Sequence, residues 1–417
     1  MISGTTPIVG TYKIRVTATN ARGSTTRELR IVAGDTLSLT PPMGWNSWNC
    51  FASKVTRDDI LRQANAMATS GLRDHGYAYI NIDDFWMPKN EDKDSTLHGP
   101  ERDAEGRINS NARFPDMPGL TASIHKFGLK AGIYSSPGPK TCGGCISSWQ
   151  HEKQDAERFA EWGFDYLKYD WCSYNQVVSG NYEDKAYAKK PYMVMGEHLR
   201  QQKRDIVYSL CQYGMAKVWE WGGEVGGNTW RTTHDIGDSW NSMSKIGLSQ
   251  AGHEPFVKPG CWNDPDMMIA GWVWGRFTNL SDDEQYTHVT LWTLQAAPLL
   301  LGCDLTHLDE FTLNLLGNDE VIEVNQDPLG RMAGRIAICG DTQVWAKAMS
   351  DGSMAVGLFN LGDETVPVST TWNELKLKGP QRVRDVWRQQ DIGIREDVFT
   401  TDIPRHGCVL IRVSSSK

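Results

Sequence analysis

The chain lacks any apolar run of the roughly 18 residues that a membrane-spanning helix needs, which excludes a helical membrane protein. It also lacks a charged-then-apolar leader at its start, so no signal peptide is visible in these 417 residues. It has no surplus of positive charge. With 43 Lys and Arg against 51 Asp and Glu, the net charge is −8, and a nucleic-acid partner would need a basic face. No Gly-rich phosphate loop follows the first apolar run. Ser135-Ser136 stands in no Gly-x-Ser-x-Gly elbow, and the 10 His include no His-Glu-x-x-His pair. These absences remove dinucleotide binding, serine-hydrolase and zinc-protease readings.

Cysteine is present but sparse. Nine Cys is an odd count, and their spread is unlike a small disulfide scaffold. The tightest pair, Cys142-Gly-Gly-Cys145, has no second Cys or His pair at zinc spacing, so no metal and no cofactor are expected. What is abundant is aromatic: 17 Trp and 13 Tyr. Most Trp are core residues in any protein, so this lifts a sugar-binding reading only modestly. Hydrophobic residues make up 40% of the chain, enough for a large core, and the length suits a barrel with a small companion domain.

Three stretches differ in pattern. Residues 1–36 alternate apolar and polar residues on either side of a turn at Asn20-Ala-Arg-Gly23, which reads as a β-hairpin and resembles a partial immunoglobulin-like module followed by a linker. Residues 37–332 alternate short β-type runs with amphipathic segments. The strands are expected near Met43–Trp45, Tyr77–Ile82, Leu129–Tyr134, Phe164–Tyr169, Ile206–Leu210, Thr229–Thr233, Pro259–Trp262 and Pro298–Leu301. Capping boxes at Thr56/Asp59 and Ser281/Glu284 open two of the helices, and Gly163 closes a third. Eight βα units of roughly 35 residues predict an α/β fold, a closed (β/α)8 TIM barrel, over an open doubly wound sheet. The glycine-rich Gly222–Gly227 reads as a mobile loop near the rim. Residues 333–417 have no helical pattern and read as an antiparallel β-sandwich packed on the barrel.

Barrel enzymes place their reacting groups where strands end. Four predicted strand ends carry acids: Asp83-Asp84, Asp170, Asp235, and Asp264 with Asp266. Any one alone is as well read as a helix N-cap. With 51 acids in 417 residues, acids at all four ends point to a site. Carboxylates without His or Cys partners suit a hard metal or glycosidic chemistry, which needs one ionised and one protonated carboxyl. Lys168 and Arg231 within the set would repel a metal ion. Lys168 is two residues from Asp170 and shares its face of the strand, so its ammonium is expected to keep Asp170 ionised. Trp45, Trp86 and Trp171 are expected to offer apolar faces to a pyranose ring.

Pro42-Met-Gly-Trp-Asn-Ser-Trp-Asn49, Ile80-Asn-Ile-Asp-Asp84, Lys168-Tyr-Asp170, Trp230-Arg231 with Asp235, and Trp262-Asn-Asp-Pro-Asp266 together resemble glycoside hydrolase family 27, in order from about residue 40 to the C-terminus. The resemblance implies a retaining double displacement on terminal α-D-galactose, with Asp170 as nucleophile and Asp235 as acid/base. Asp235 would then need a raised pKa to be loaded as an acid. It further implies that Trp45, Asp83, Asp84, Tyr134, Lys168, Arg231 and Asp266 bind the sugar, and that Cys142 and Cys172 form a disulfide. In the family the loop carrying Cys211 and Tyr213 reads the sugar 2-position. Two departures stand out: Phe85 replaces a Cys that many members carry, leaving Cys50 without that partner, and Tyr213 replaces a Trp. A large aromatic at 213 should crowd an acetamido group and favour a plain hydroxyl.

The alternatives on this scaffold are an α-N-acetylgalactosaminidase, a β-L-arabinopyranosidase and a non-catalytic carbohydrate-binding surface protein. Contacts to the leaving group are expected on loops 88–112 and 173–190. A disulfide and a surface-type module imply a secreted, periplasmic or cell-surface protein; oligomeric state has no signal in the sequence.

Overall fold

The structure, a computed structural model, describes residues 8–416, so residues 1–7 of the expected N-terminal module lie outside the described residues. The chain divides into two compact units, residues 1–37 and 38–417. In the first, strands Gly10–Asn20 and Gly23–Ala33 pair antiparallel across a two-residue turn. Asn20 accepts from the Arg22 amide at 2.8 Å, the local side-chain bond that suits Asn to turns.

The second unit opens with eight parallel strands: β1 Met43–Asn46, β2 Tyr79–Asn81, β3 Lys130–Ser135, β4 Tyr166–Asp170, β5 Val207–Cys211, β6 Thr229–Arg231, β7 Trp262–Asp264 and β8 Leu299–Leu301. β8 pairs with β1, and Met268, just beyond β7, bridges Leu301 of β8, so the sheet curls round to meet itself. The seventh strand begins later than its apolar run suggests. Pro259 cannot donate to a ladder and Gly260 takes φ +84°, so Lys258–Cys261 form a turn instead.

The main helices are α1 Arg57–Thr69, α2 Met117–Lys126, α3 Glu152–Trp162, α4 Lys185–Arg200, α5 Trp240–Leu248, α6 Asp282–Leu294, α7 Glu310–Leu316 and α8 Asp319–Asn325. Both capping boxes form, and α3 ends on Gly163 at φ +89°. Ile60, Ala64 and Met67 face the core from α1, whereas Leu72 reaches it from a separate turn after Gly71. No α-helix follows β5. Two 3₁₀ turns, Val218–Glu220 and Gly222–Val225, take its place. The Gly222–Gly227 stretch is therefore packed against the barrel and is not a rim loop. A Cβ on Gly222 would lie 2.5 Å from the Trp230 ring, so glycine there lets the backbone close on β6.

Eight further strands follow: β9 Gly334–Cys339, β10 Thr342–Ala348, β11 Met354–Asn360, β12 Val366–Thr371, β13 Gln381–Asp385, β14 Gln390–Arg395, β15 Val398–Ile403 and β16 Cys408–Ser415. They form a six-stranded antiparallel sheet, ordered β9-β10-β11-β16-β13-β14, and a two-stranded sheet, β12-β15. Val356, Leu358, Val368, Trp372, Val383, Phe399 and Ile411 fill the space between them. This sandwich docks on α6, which is why α6 is buried on all sides rather than along one stripe. The junction is polar. Thr287 donates to the His406 carbonyl at 2.7 Å, Trp387 to Thr290 at 2.9 Å, and the His406 ring meets Glu284 at 2.6 Å.

Glu284 thus serves twice, closing the N-terminus of α6 and partnering buried His406. Glu284→Ala should cost roughly 2–4 kcal/mol, the sum of a lost cap and an orphaned buried donor, read as a drop in urea midpoint. A loss below about 0.5 kcal/mol, the scale of an exposed substitution, would show that the junction is not held there.

Candidate active site

Beyond the C-terminal ends of β1–β8 lies a cavity of about 150 Å³. Nine of the eleven residues expected to react with or bind the substrate line it: Asp83, Asp84, Tyr134, Lys168, Asp170, Tyr213, Arg231, Asp235 and Asp266. Parallel register brings distant segments together. Tyr134 on β3 stands beside Lys168 on β4, and Asp170 beside Cys211 at the end of β5.

Asp170 is 5% exposed. Its carboxylate accepts from the Tyr134 hydroxyl at 2.9 Å, the Tyr213 hydroxyl at 2.8 Å and the Trp171 amide at 2.7 Å. Burial drives both phenols well above their ordinary pKa, and the nearby charge of Asp170 adds to this, so they remain donors. Lys168 stands near enough for its charge and that of Asp170 to act on each other, but its direct partner is another acid. The Lys168 ammonium bonds Asp83 at 2.8 Å, reaching from β4 past the end of β3 to the residues that follow β2. Asp83 also accepts from Asn46 at 2.9 Å. Asp84 has no cation; it accepts from the Gly143 and Phe85 amides at 2.7 and 2.8 Å.

On the opposite wall Arg231 bridges Asp266 and Asp235, each at 3.0 Å. Asp235 differs from the other acids in exposure: its side chain is 69% exposed, against 4% for those of Asp83 and Asp266. Cys142 and Cys172 form the implied disulfide, joining the loops after β3 and β4. The Cys142 sulfur lies 3.9 Å from an Asp170 oxygen. These two sulfurs and Asp170 cluster closely, but bridged sulfurs are not thiolates, so the set lacks metal-ligand chemistry.

Two expected binding residues are displaced. Trp45 is fully buried, and its indole donates to the Cys303 carbonyl at 2.7 Å. The ring is enclosed within the barrel, and Trp48, three residues on, brings an indole to the cavity. Trp86 and Trp171 likewise do not line the cavity; they are buried among Phe159 and Trp162, and among Tyr174 and Tyr187. Cys211 lies behind Arg231, whose guanidinium donates to its sulfur at 3.7 Å. Trp48 stood inside the first motif with no period to distinguish it from Trp45. Trp274 also lines the cavity, from a short excursion between β7 and β8 that carries no strand-end signal.

Four residues at or beside the cavity adopt left-handed backbone without being glycine: Phe85 at φ +75°, Tyr213 at +63°, Asp266 at +93° and Trp274 at +48°. Such strain costs of order 1–3 kcal/mol each and concentrates at functional sites. Two buried donors here, Asn49 Nδ2 and Arg231 Nε, have no partner among the described residues, and hydroxyls of a bound ligand could accept from them.

Burial raises Asp84 to about 6, and Asp264 also to about 6. Asp235 goes the other way. Desolvation pushes it up, but Arg231 and Lys168 outweigh this and hold it below the ordinary carboxylate range. The expectation of a raised Asp235 therefore fails, because Asp235 is exposed enough for the two cations to outweigh its desolvation, whereas buried Asp266 beside the same guanidinium is raised.

A family model described as alpha galactosidase A matches residues 40–327, and one for the alpha galactosidase C-terminal beta sandwich domain matches 339–413. The chain is 38% identical to an alpha-galactosidase of Cyamopsis tetragonoloba, over 91% of this chain and 87% of that one. Alpha-galactosidase I from Mortierella vinacea superposes with a TM-score of 0.83 at 34% identity, covering 92% of this chain and 99% of that one. An alpha-galactosidase from Saccharomyces cerevisiae, solved with raffinose, gives 0.80 at 26%, covering 91% and 98%.

With its pKa moved from 3.8 to about 6 on folding, Asp264 makes the folded chain bind a proton between those values that the unfolded chain releases. The contribution of Asp264 to stability should therefore rise as pH falls from 7.5 towards 5, by up to about 1.4 kcal/mol per pH unit. In calorimetric melts the change in stability over that range should be less favourable in Asp264→Asn. Equal changes in both proteins would place Asp264 in the ordinary range.

Proposed function

The chain belongs to the alpha-galactosidase family of glycoside hydrolases, family 27, and on that premise we propose that Asp170 is its nucleophile and Asp235 its acid/base. The protein is a glycoside hydrolase, an α-galactosidase acting on carbohydrates with terminal α-galactose.

The observation that carries the residue assignment is the contrast between the two acids. Asp170 is buried on the cavity floor and aimed by two phenols and an amide. Asp235 is exposed at the mouth. Neutral donors orient a carboxylate while leaving it more nucleophilic than a full ion pair would. Asp170 attacks the anomeric carbon as the glycosidic bond breaks, and the leaving oxygen takes the proton from Asp235. Asp235 then removes a proton from water as it attacks the same carbon, freeing Asp170 and returning galactose with its α-configuration. Loading Asp235 as an acid falls to the occupied site. A bound galactoside excludes water from it and competes for Arg231, and both changes raise its pKa.

Asp83, Asp84, Lys168, Arg231 and Asp266 ring the galactose hydroxyls. A paired carboxylate on the 4- and 6-hydroxyls rejects glucose by leaving buried groups unpaired. It also ranks a β-L-arabinopyranoside lower, since that sugar lacks the 6-carbon that Asp84 would serve. Tyr213 supports a 2-hydroxyl over an acetamido group: its ring lies beneath Arg231 and against His234, and its hydroxyl is committed to Asp170. The Cys142–Cys172 bridge supports an oxidising, extracytoplasmic location. In this reading residues 37–332 form the catalytic domain, 333–417 a structural β domain, and 1–36 an immunoglobulin-like module.

Aryl α-galactoside should be turned over in preference to aryl α-N-acetylgalactosaminide, β-L-arabinopyranoside and α-glucoside. Asp170→Asn should abolish that turnover; near-normal kcat in this variant would remove Asp170 from the role. Tyr213→Phe takes away one hydrogen bond to a charged group and should lower kcat roughly 10- to 100-fold. Unchanged kcat with a raised KM would make Tyr213 a wall of the sugar pocket rather than a positioning residue.

A further inference from the structure

We infer that Trp274 forms the platform for the ring of the leaving group, and that this ring is a second neutral pyranose. The inference rests on the α-galactosidase reading and on Asp235 as its acid. Strands Trp272–Val273 and Arg276–Phe277 make a small antiparallel hairpin whose turn is Trp274-Gly275. Both turn residues have positive φ, +48° and +78°, the conformation of a two-residue hairpin turn that favours Asn-Gly. A tryptophan in the first of these positions is strained, and the residue is 39% exposed while lining the cavity. A large apolar side chain held against its own backbone preference, with part of its surface open at the cavity, is placed to meet a ligand.

The hairpin is tied down on two sides. The Trp274 amide donates to the Asn49 carbonyl at 2.8 Å, on the Trp48 side of the cavity. Asp238, three residues beyond Asp235, accepts from Arg276 at 2.7 Å, Thr278 at 2.6 Å and the Asn279 amide at 2.9 Å. Trp274 is thereby anchored to the segment that carries the proposed acid. The cavity floor is built from buried polar groups that suit the galactose. Exposed Asp235 and Trp274 stand at its mouth, as does the Cys142 end of the disulfide. A proton from Asp235 goes to the leaving oxygen, so the ring bearing that oxygen must sit at the mouth. An indole face at the mouth suits the apolar face of a pyranose, and Arg276 and Asn279 are committed to Asp238 in holding it there.

The test uses Trp274→Asn, which suits the left-handed turn and removes the indole, and compares raffinose with α-galactosyl fluoride, whose leaving group has no ring. The expected result is a fall in kcat/KM of about tenfold or more on raffinose, with the fluoride within about twofold and the melting temperature retained. Trp274→Phe should restore most of the raffinose activity. A parallel fall on both substrates, or no fall on raffinose, overturns the inference while leaving the α-galactosidase reading intact. Failure of the unaltered protein on both substrates would overturn that reading and this inference together.

Discussion

Five carboxylates share one cavity with two cations, and the rest of the site follows from accommodating that imbalance. Lys168 and Arg231 neutralise Asp83, Asp266 and, at the mouth, Asp235. Asp84 and Asp170 are left to backbone amides and phenols. Burial and partners together separate their behaviour. Exposed Asp235 beside the guanidinium is held down, whereas burial raises Asp266 beside the same guanidinium and pushes Asp84, which has no cation, up to about 6. A cavity already crowded with negative charge favours a neutral polyhydroxyl ligand, whose hydroxyls can donate to carboxylates and accept from the cations.

Holding these groups at hydrogen-bond distance needs a rigid frame, and the strain at Phe85, Tyr213 and Asp266 shows the frame overruling local preference. Part of that frame is the disulfide between the loops after β3 and β4, which lies against Asp170. More distant support comes from α6. It lies between barrel and sandwich, and its Trp292 donates to the Asp266 carbonyl at 2.7 Å. The C-terminal sheets thus meet, through one helix, the backbone of a residue in the cavity.

The barrel was legible because each strand is a short β-type run and each capping box is a local four-residue signal. Acids at successive strand ends could be read the same way, since a parallel barrel places those ends on one rim whatever the loops do. Other features depended on contacts remote in sequence. Nothing near Lys168 indicates that it will choose Asp83, 85 residues away, over Asp170, two residues away. Trp45 and Trp48 are equally plausible in the motif, and only closure of the barrel encloses one and leaves the other at the cavity. The glycines after β5 look like a loop until Trp230 is seen packed against Gly222.

The sequence alone determined the barrel and its β companion, the acids on the rim and, through its motifs, the family, because strand periodicity and motif residues are local properties. Tertiary structure decided which cation each carboxylate pairs with, the depressed pKa of Asp235, the tryptophans that reach the cavity and the strained hairpin that holds Trp274 beside the acid. Those are matters of distance and desolvation between segments far apart in the chain, and they exist only once the strands have closed into a ring.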